Sequence, residues 1–148
     1  MDKRLHVTPE KCIGCRTCEL ACAMSHPEDS SGMGFPRVAV RDCGESVFIP
    51  VLCLQCEDAA CVKACPVEAL VRNAKTGAIE VLQERCVRCM ACVAACPFGN
   101  MHSDAATGRV FKCDLCGGSP RCAQFCPTRT LEYARRPSAA PAPAPAAR

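Results

Sequence analysis

The apolar positions of this 148-residue chain come in short runs, each bounded by turn residues. LHVT over 5–8 reads as a strand leading into a cysteine-rich stretch. Residues 19–25 favour a short helix through their Ala and Leu content. His26-Pro27 ends it, because a proline pushes the residue before it out of helical geometry. EDSSGMG over 28–34 is loop-forming by composition. Residues 37–41 and 46–51 read as two strands joined across Asp42-Cys43-Gly44. Residues 69–72 and 78–82 predict a hairpin turning through 73–77, and 99–103 with 109–112 a second one turning near Thr107-Gly108. Residues 130–133 are a last strand. The repeating unit is cysteine loop, short helix, hairpin, which places the chain in the α+β class.

The loops between these elements carry the chemistry. CVRCMACVAACP over 86–97 spaces Cys86, Cys89 and Cys92 three apart, sets Cys96 four further on, and follows it with Pro97. This is the C-x2-C-x2-C-x3-C-P run of bacterial [4Fe–4S] ferredoxins. Three thiolates on one tight loop can wrap a face of an iron–sulfur cube, while the fourth points away; in two-cluster ferredoxins it serves the other cluster. The pattern occurs four times: Cys12, Cys15, Cys18, Cys22; Cys53, Cys56, Cys61, Cys65 with Pro66; the stretch above; and Cys113, Cys116, Cys122, Cys126 with Pro127. Copies two and four have longer gaps before their third cysteine. Sixteen of the 17 cysteines are placed, and Cys43 is left over.

Composition narrows the alternatives. With no Trp, one Tyr and five Phe, the supply for a conventional core is thin, and small scaffolds of that kind rely on disulfides or metals. The charged stretch over 1–11 has no apolar segment of a signal peptide, so the cytoplasm is the expected compartment, where thiols stay reduced and bind metal. No run approaches the roughly 18 apolar residues that a spanning helix needs, so no direct membrane insertion is expected. The formal charge of +3 counts every cysteine as neutral. Four oxidised cubes at about −2 each bring the loaded protein to about −5. The scattered Lys and Arg form no phosphate-binding stripe, so nucleic acid is not an expected partner.

Structural zinc is the rival reading. It wants two well-separated ligand pairs, whereas here three cysteines crowd into each loop. Small residues surround the cysteines (Ala21, Ala23, Ala59, Ala60, Ala64, Ala91, Ala94 and Ala95), which lets backbone N–H groups come close to a bulky cube. Ile13, Val62, Val87 and Val93 are expected to shield the clusters from water. Cys43 reads as a small buried apolar residue near a strand end. His6, His26 and His102 stand outside the motifs and read as loop or surface residues. No catalytic constellation emerges, and each cluster has its four cysteines, so no iron is left open to substrate. The chain reads as non-catalytic and its chemistry as electron transfer. RPSAAPAPAPAAR over 136–148 cannot form a core, and a disordered tail is expected over 137–148.

CIGCRTCELAC, CLQCEDAACVKACP, CVRCMACVAACP and KCDLCGGSPRCAQFCP, over 12–127, resemble the four-cluster ferredoxin subunits of larger oxidoreductases. These include the iron–sulfur subunits of dimethyl sulfoxide reductase, formate dehydrogenase and formate hydrogenlyase, and the small partners of carbon monoxide dehydrogenase and tungsten aldehyde oxidoreductase. Spacing alone also permits pairing of motif one with two and three with four. The resemblance implies nested modules. It implies an inner module over about 50–104, with clusters on Cys53, Cys56, Cys61, Cys96 and on Cys86, Cys89, Cys92, Cys65. The outer module, 1–49 plus 105–136, then has Cys12, Cys15, Cys18, Cys126 and Cys113, Cys116, Cys122, Cys22. The third motif keeps all its cysteines, so four [4Fe–4S] clusters are implied within a domain over 1–136. The implied role is an electron-transfer subunit between a catalytic partner and an acceptor. The first expectation for the partner is a soluble molybdenum or tungsten enzyme, an aldehyde oxidoreductase above others. The acceptor is a flavin subunit, a ferredoxin or another copy of the chain. A freely diffusing polyferredoxin carrier and an electron-supply or maturation factor are the alternatives.

Overall fold

A computed structural model of the chain describes residues 3–27 and 33–135. In chain order the elements are β1 (Lys3–Val7), α1 (Thr17–Met24), β2 (Val38–Asp42), β3 (Phe48–Leu52), α2 (Ala60–Lys63), β4 (Leu70–Arg72), β5 (Ile79–Val81), α3 (Ala91–Ala95), β6 (His102–Ser103), β7 (Val110–Phe111), α4 (Arg121–Gln124) and β8 (Leu131–Arg135). Single 3-10 turns occupy Pro9–Lys11 and Leu115–Gly118. The α+β class holds. No helix among the described residues is long and apolar enough to cross a membrane.

The strands form four two-stranded antiparallel ladders: β2 with β3, β4 with β5, β6 with β7, and β1 with β8. Two of the turns are copies of one device. Asn73 and Asp104 each accept the N–H of the glycine four residues on, Gly77 and Gly108, and each side chain also takes backbone N–H groups inside its turn. Both glycines have positive φ, +74° and +67°, the conformation that lets so tight a turn close. The apolar faces of the ladders collect into two buried groups. One joins Cys18, Cys22, Val38, Val40, Leu52, Cys122 and Leu131; the other joins Ala59, Leu70, Ile79, Cys92, Met101 and Val110.

Several expectations shift. The last strand runs to Arg135, beyond 133, because it pairs with β1 from Lys3↔Arg135 to Val7↔Leu131. The second short hairpin begins at His102, since Gly99 and Asn100 are taken up by the turn behind Cys96. Cys43 is exposed, not buried: residues 41–47 form a hairpin tip on which every residue faces solvent. His26 is 4% exposed and is no surface residue. Ile13 and Val87 are 62% and 60% exposed, whereas Val62 and Val93 pack in the second core. The loop over 28–32 and the tail over 136–148 lie outside the described residues.

Candidate metal centres

Each C-x-x-C loop is built the same way. The residue before the second cysteine has a left-handed backbone: Gly14 (φ +69°), Gln55 (+52°), Arg88 (+56°) and Leu115 (+58°). The residue after that cysteine does so in three loops: Arg16 (+55°), Met90 (+61°) and Gly117 (+64°). In the first and third loops the hands alternate, which aims successive N–H groups at one point and makes a concave site for an anion such as an iron–sulfur cluster, whereas in the fourth Leu115, Cys116 and Gly117 are left-handed in succession. A left-handed conformation costs a non-glycine residue of order 1 kcal/mol or more. Among the described residues, Arg16, Gln55, Glu68, Arg88, Met90, Leu115, Cys116 and Arg129 all accept that strain beside cysteine ligand candidates. Gly14 has a second reason, since a Cβ there would meet the Phe48 ring at 2.8 Å.

Behind the fourth cysteine the proline sets a turn. Glu68, Gly99 and Arg129 donate their N–H groups to the carbonyls of Cys65, Cys96 and Cys126 at 3.4, 3.2 and 3.3 Å, each with positive φ. Proline suits the position after the cysteine because its φ is already that of the turn. The next N–H then falls on sulfur: Ala69 to Cys65 Sγ at 3.2 Å and Asn100 to Cys96 Sγ at 3.4 Å. Burial alone would raise the Cys126 thiol, but the backbone N–H groups of Leu131, Thr130 and Thr128 and the Thr128 hydroxyl outweigh it and lower it. Cys22 has Ala23 after it instead of proline, so α1 continues, and its Sγ accepts the N–H of Arg37 at 3.2 Å.

Three cavities each bring together three cysteines of one motif and one of another. Cys53, Cys56 and Cys61 share a cavity with Cys96, lined also by Ala59, Ala60 and Lys112. Cys113, Cys116 and Cys122 share one with Cys22. Cys12, Cys15 and Cys18 share one with Cys126. Cys65, Cys86 and Cys92 meet in the second core, and Cys89 is exposed on the loop between the last two. Asn100 helps the first crossing, since its Nδ2 donates to the carbonyl of Leu52, directly before Cys53, at 2.8 Å. The sulfur donor sets lie in cavities lined largely by small or apolar side chains, with Lys112, Asn100, His26, Arg37 and Asp114 among the polar ones, and they fit a soft metal cluster. Burial lifts the Cys18 thiol to about 11 and Cys113 to about 12, and it also raises Cys61, Cys92, Cys116 and Cys122. Thiols held up in this way lose their protons to a bound metal, so loading the sites releases protons.

Two buried charged groups flank the sites. His26 Nδ1 donates to the carbonyl of Cys22 at 2.9 Å, and Nε2 lies 3.2 Å from Asp114 Oδ1. Arg37 donates to Asp114 Oδ2 at 2.9 Å. Burial opposes a charge on His26, but the Asp114 carboxylate wins and lifts it to about 10. Burial likewise opposes a charge on Asp114, yet His26 and Arg37 hold its carboxyl well below the usual range. Between the two cores, Lys112 donates from Nζ to Gln55 Oε1, the Ile79 carbonyl and the Cys113 carbonyl at 3.1, 2.7 and 2.9 Å.

A family model described as a 4Fe-4S dicluster domain matches residues 45–136, and one described as a 4Fe-4S binding domain matches residues 9–25. The chain belongs to the 4Fe–4S ferredoxins. It is 43% identical, over 81% of its length and 69% of the relative's, to the polyferredoxin-like subunit of an aliphatic sulfonate oxidoreductase of Pyrococcus furiosus. It is 41% identical, over 89% of both chains, to the putative electron transport protein YsaA of Escherichia coli. Among solved structures, the active site complex BamBC of benzoyl coenzyme A reductase matches with a TM-score of 0.52 at 23% identity, covering 90% of this chain and 80% of that one. That likeness is one of fold.

This ferredoxin is thus an iron–sulfur electron-transfer protein, and its four C-x-x-C loops share a left-handed residue before the second cysteine. Reading the sequence for cysteines alone overlooks His26, Arg37, Asp114, Gln55 and Lys112. A signal was present: Lys112 and Asp114 flank Cys113, and Gln55 lies inside the second C-x-x-C. The signal is weak, because Arg16, Glu57 and Arg88 also stand beside motif cysteines and are exposed.

Proposed function

We propose that this ferredoxin carries four [4Fe–4S] clusters and serves as the electron-transfer subunit of a larger oxidoreductase. The ligand sets are Cys12, Cys15, Cys18, Cys126; Cys22, Cys113, Cys116, Cys122; Cys53, Cys56, Cys61, Cys96; and Cys65, Cys86, Cys89, Cys92. The observation that carries this reading is the exchange of fourth cysteines between motifs in the three cavities. A bound cluster takes up and returns one electron at a time. The chain holds the thiolates and presents N–H groups to the sulfurs of Cys22, Cys65 and Cys96. The titratable side chains beside these sites, His26, Asp114 and Lys112, are engaged in hydrogen bonds within the fold, and the substrate chemistry is assigned to a partner.

The partner is a catalytic subunit, with a flavin subunit, a ferredoxin or another copy of the chain at the other end. The relative in Pyrococcus furiosus, named as a subunit of an oxidoreductase, supports a stable complex over a diffusing carrier. A molybdenum or tungsten enzyme, with aldehyde oxidoreductases first, is the proposed class. A free carrier is the second reading, favoured by a relative of matching length named only as a putative electron transport protein.

Affinity purification of the tagged full chain from its native host, without air, tests both parts. The expected result is about sixteen irons and sixteen sulfides per chain, with a molybdenum- or tungsten-bearing subunit attached. Stoichiometric zinc without acid-labile sulfide overturns the cluster reading. A monomer with full iron and no cofactor-bearing subunit overturns the complex and leaves the carrier.

A further inference from the structure

Lys112 is only 2% exposed, yet no described carboxylate lies within salt-bridge distance of it. The surrounding hydrogen bonds fix its charge. Gln55 donates from Nε2 to the Cys113 carbonyl at 2.7 Å, and its Oε1 accepts the Ile79 N–H at 2.9 Å. The amide orientation is therefore set by two partners of opposite kind. Nζ then faces three acceptors and no donor: Gln55 Oε1 and the carbonyls of Ile79 and Cys113. A neutral amine has two N–H groups, whereas an ammonium has three. All three contacts are made only by the ammonium.

A buried cation among neutral dipoles needs a counter-charge. The nearest candidates are the thiolates. Lys112 lines the cavity of Cys53, Cys56, Cys61 and Cys96, stands next to Cys113 in the chain and donates to its carbonyl. It lies at the junction between the two cores, touching Gln55 of the second motif and Cys113 of the fourth.

We propose that the Lys112 ammonium is a fixed positive charge that raises the reduction potentials of the two clusters beside it, on Cys53, Cys56, Cys61, Cys96 and on Cys22, Cys113, Cys116, Cys122. The inference rests on the four-cluster reading above. Adding one electron to a site makes it one charge more negative, and a buried cation nearby favours that state. No proton moves and no bond forms or breaks; each electron comes from the neighbouring site or the partner and leaves by the same kind of step. The two sites flanking Lys112 then hold an electron more tightly than they would without its charge. Gln55 is the positioning residue that holds Nζ there.

The test is an anaerobic redox titration of the purified full chain, followed by electron paramagnetic resonance. Wild type is compared with Lys112→Met, Lys112→Arg and Gln55→Glu. Wild-type iron below four clusters defeats the four-cluster reading before any variant is compared. With four clusters present, Lys112→Met is expected to lower two of the four potentials. At a fixed potential their reduced-to-oxidised ratio falls tenfold or more, about 59 mV for a one-electron couple. Lys112→Arg restores both. A merely structural lysine would make Lys112→Met bleach at lower temperature and leave every potential in place, which overturns the proposal. Should Lys112→Met lose iron, Gln55→Glu decides: its carboxylate neutralises the intact ammonium, so the same two potentials must fall, and unchanged potentials overturn the proposal.

Discussion

Cys96 and Cys22 hold the same place in their motifs, but the chain behind them differs. After Cys96, Pro97 stops the helix, Gly99 turns left-handed, and the N–H of Asn100 reaches sulfur within four residues. After Cys22, Ala23 lets α1 run to Met24, and sulfur waits for an N–H from Arg37, fifteen residues on. The inner site closes by local turn chemistry. The outer site closes by tertiary contacts, and there the chain adds charge, with His26, Asp114 and Arg37 linking α1's end, the approach to β2 and the fourth motif. A local turn forms wherever its sequence allows, whereas a remote donor is in place only when the fold is.

Four changes test that contrast, from the largest effect down. Cys96→Ala is expected to strip the site of Cys53, Cys56 and Cys61, costing about four of sixteen irons and loosening the inner module, since metal binding and folding are coupled. Iron and sulfide analysis gives the loss, and an anaerobic structure with Cys86, Cys89, Cys92 and Cys96 around one cube would refute the crossing.

Asp114→Ala leaves His26 and Arg37 buried without their carboxylate. Removing one partner of a buried pair costs about 3–5 kcal/mol; Asp114's side chain is 30% exposed, so about 2 kcal/mol is expected here. The pH dependence has a definite sign. His26 is raised from 6.5 to about 10, so its share of stability is complete below 6.5 and is lost as pH rises through about 10. Asp114 is depressed, so its share is present above its ordinary value of 3.8 and lost as pH falls below that range. The gap in cluster-bleaching temperature between wild type and the variant should therefore narrow as pH is raised from 6.5 toward 10. A gap that stays constant would show that the pair does not act as charges.

Pro97→Ala should cost about 0.5–1 kcal/mol, chiefly by freeing the unfolded chain, and leave the iron content intact because the Asn100 N–H still has its turn. A loss of iron on this change would make the proline itself indispensable to the inner site. Smallest of all, Cys43→Ala should change stability by less than about 0.5 kcal/mol, as for other exposed positions, with all iron retained. Iron loss here would mean that the leftover cysteine joins a site.

What the sequence disclosed follows the same division. The cysteine loops, the Asn73 and Asp104 turns and the short strands beside them rest on local chemistry, and local patterns announce them. The β1–β8 ladder depends on two segments at opposite ends of the described chain, and no nearby periodicity marks their register. Burial of His26 and Lys112 has the same origin. His26 sits between Ser25 and Pro27, and Lys112 directly follows the strand of Val110 and Phe111; neither type signals burial, and only closure of the fold puts them inside. Cys43 errs the other way: apolar by type and next to a strand, it lies on a tip that no other element covers.

The β1–β8 pairing also orders events during synthesis. On the pairing we propose, every cysteine of the second and third motifs has been made by Cys96, whereas the first motif lacks its companion until Cys126 follows; β1 lacks its strand until Leu131–Arg135 has been added. Closing so long a loop is entropically slow to nucleate but adds little once its contents are compact. The two central motifs can thus be completed before the ladder that joins Lys3–Val7 to Leu131–Arg135 is closed, and β1 waits longest for its partner.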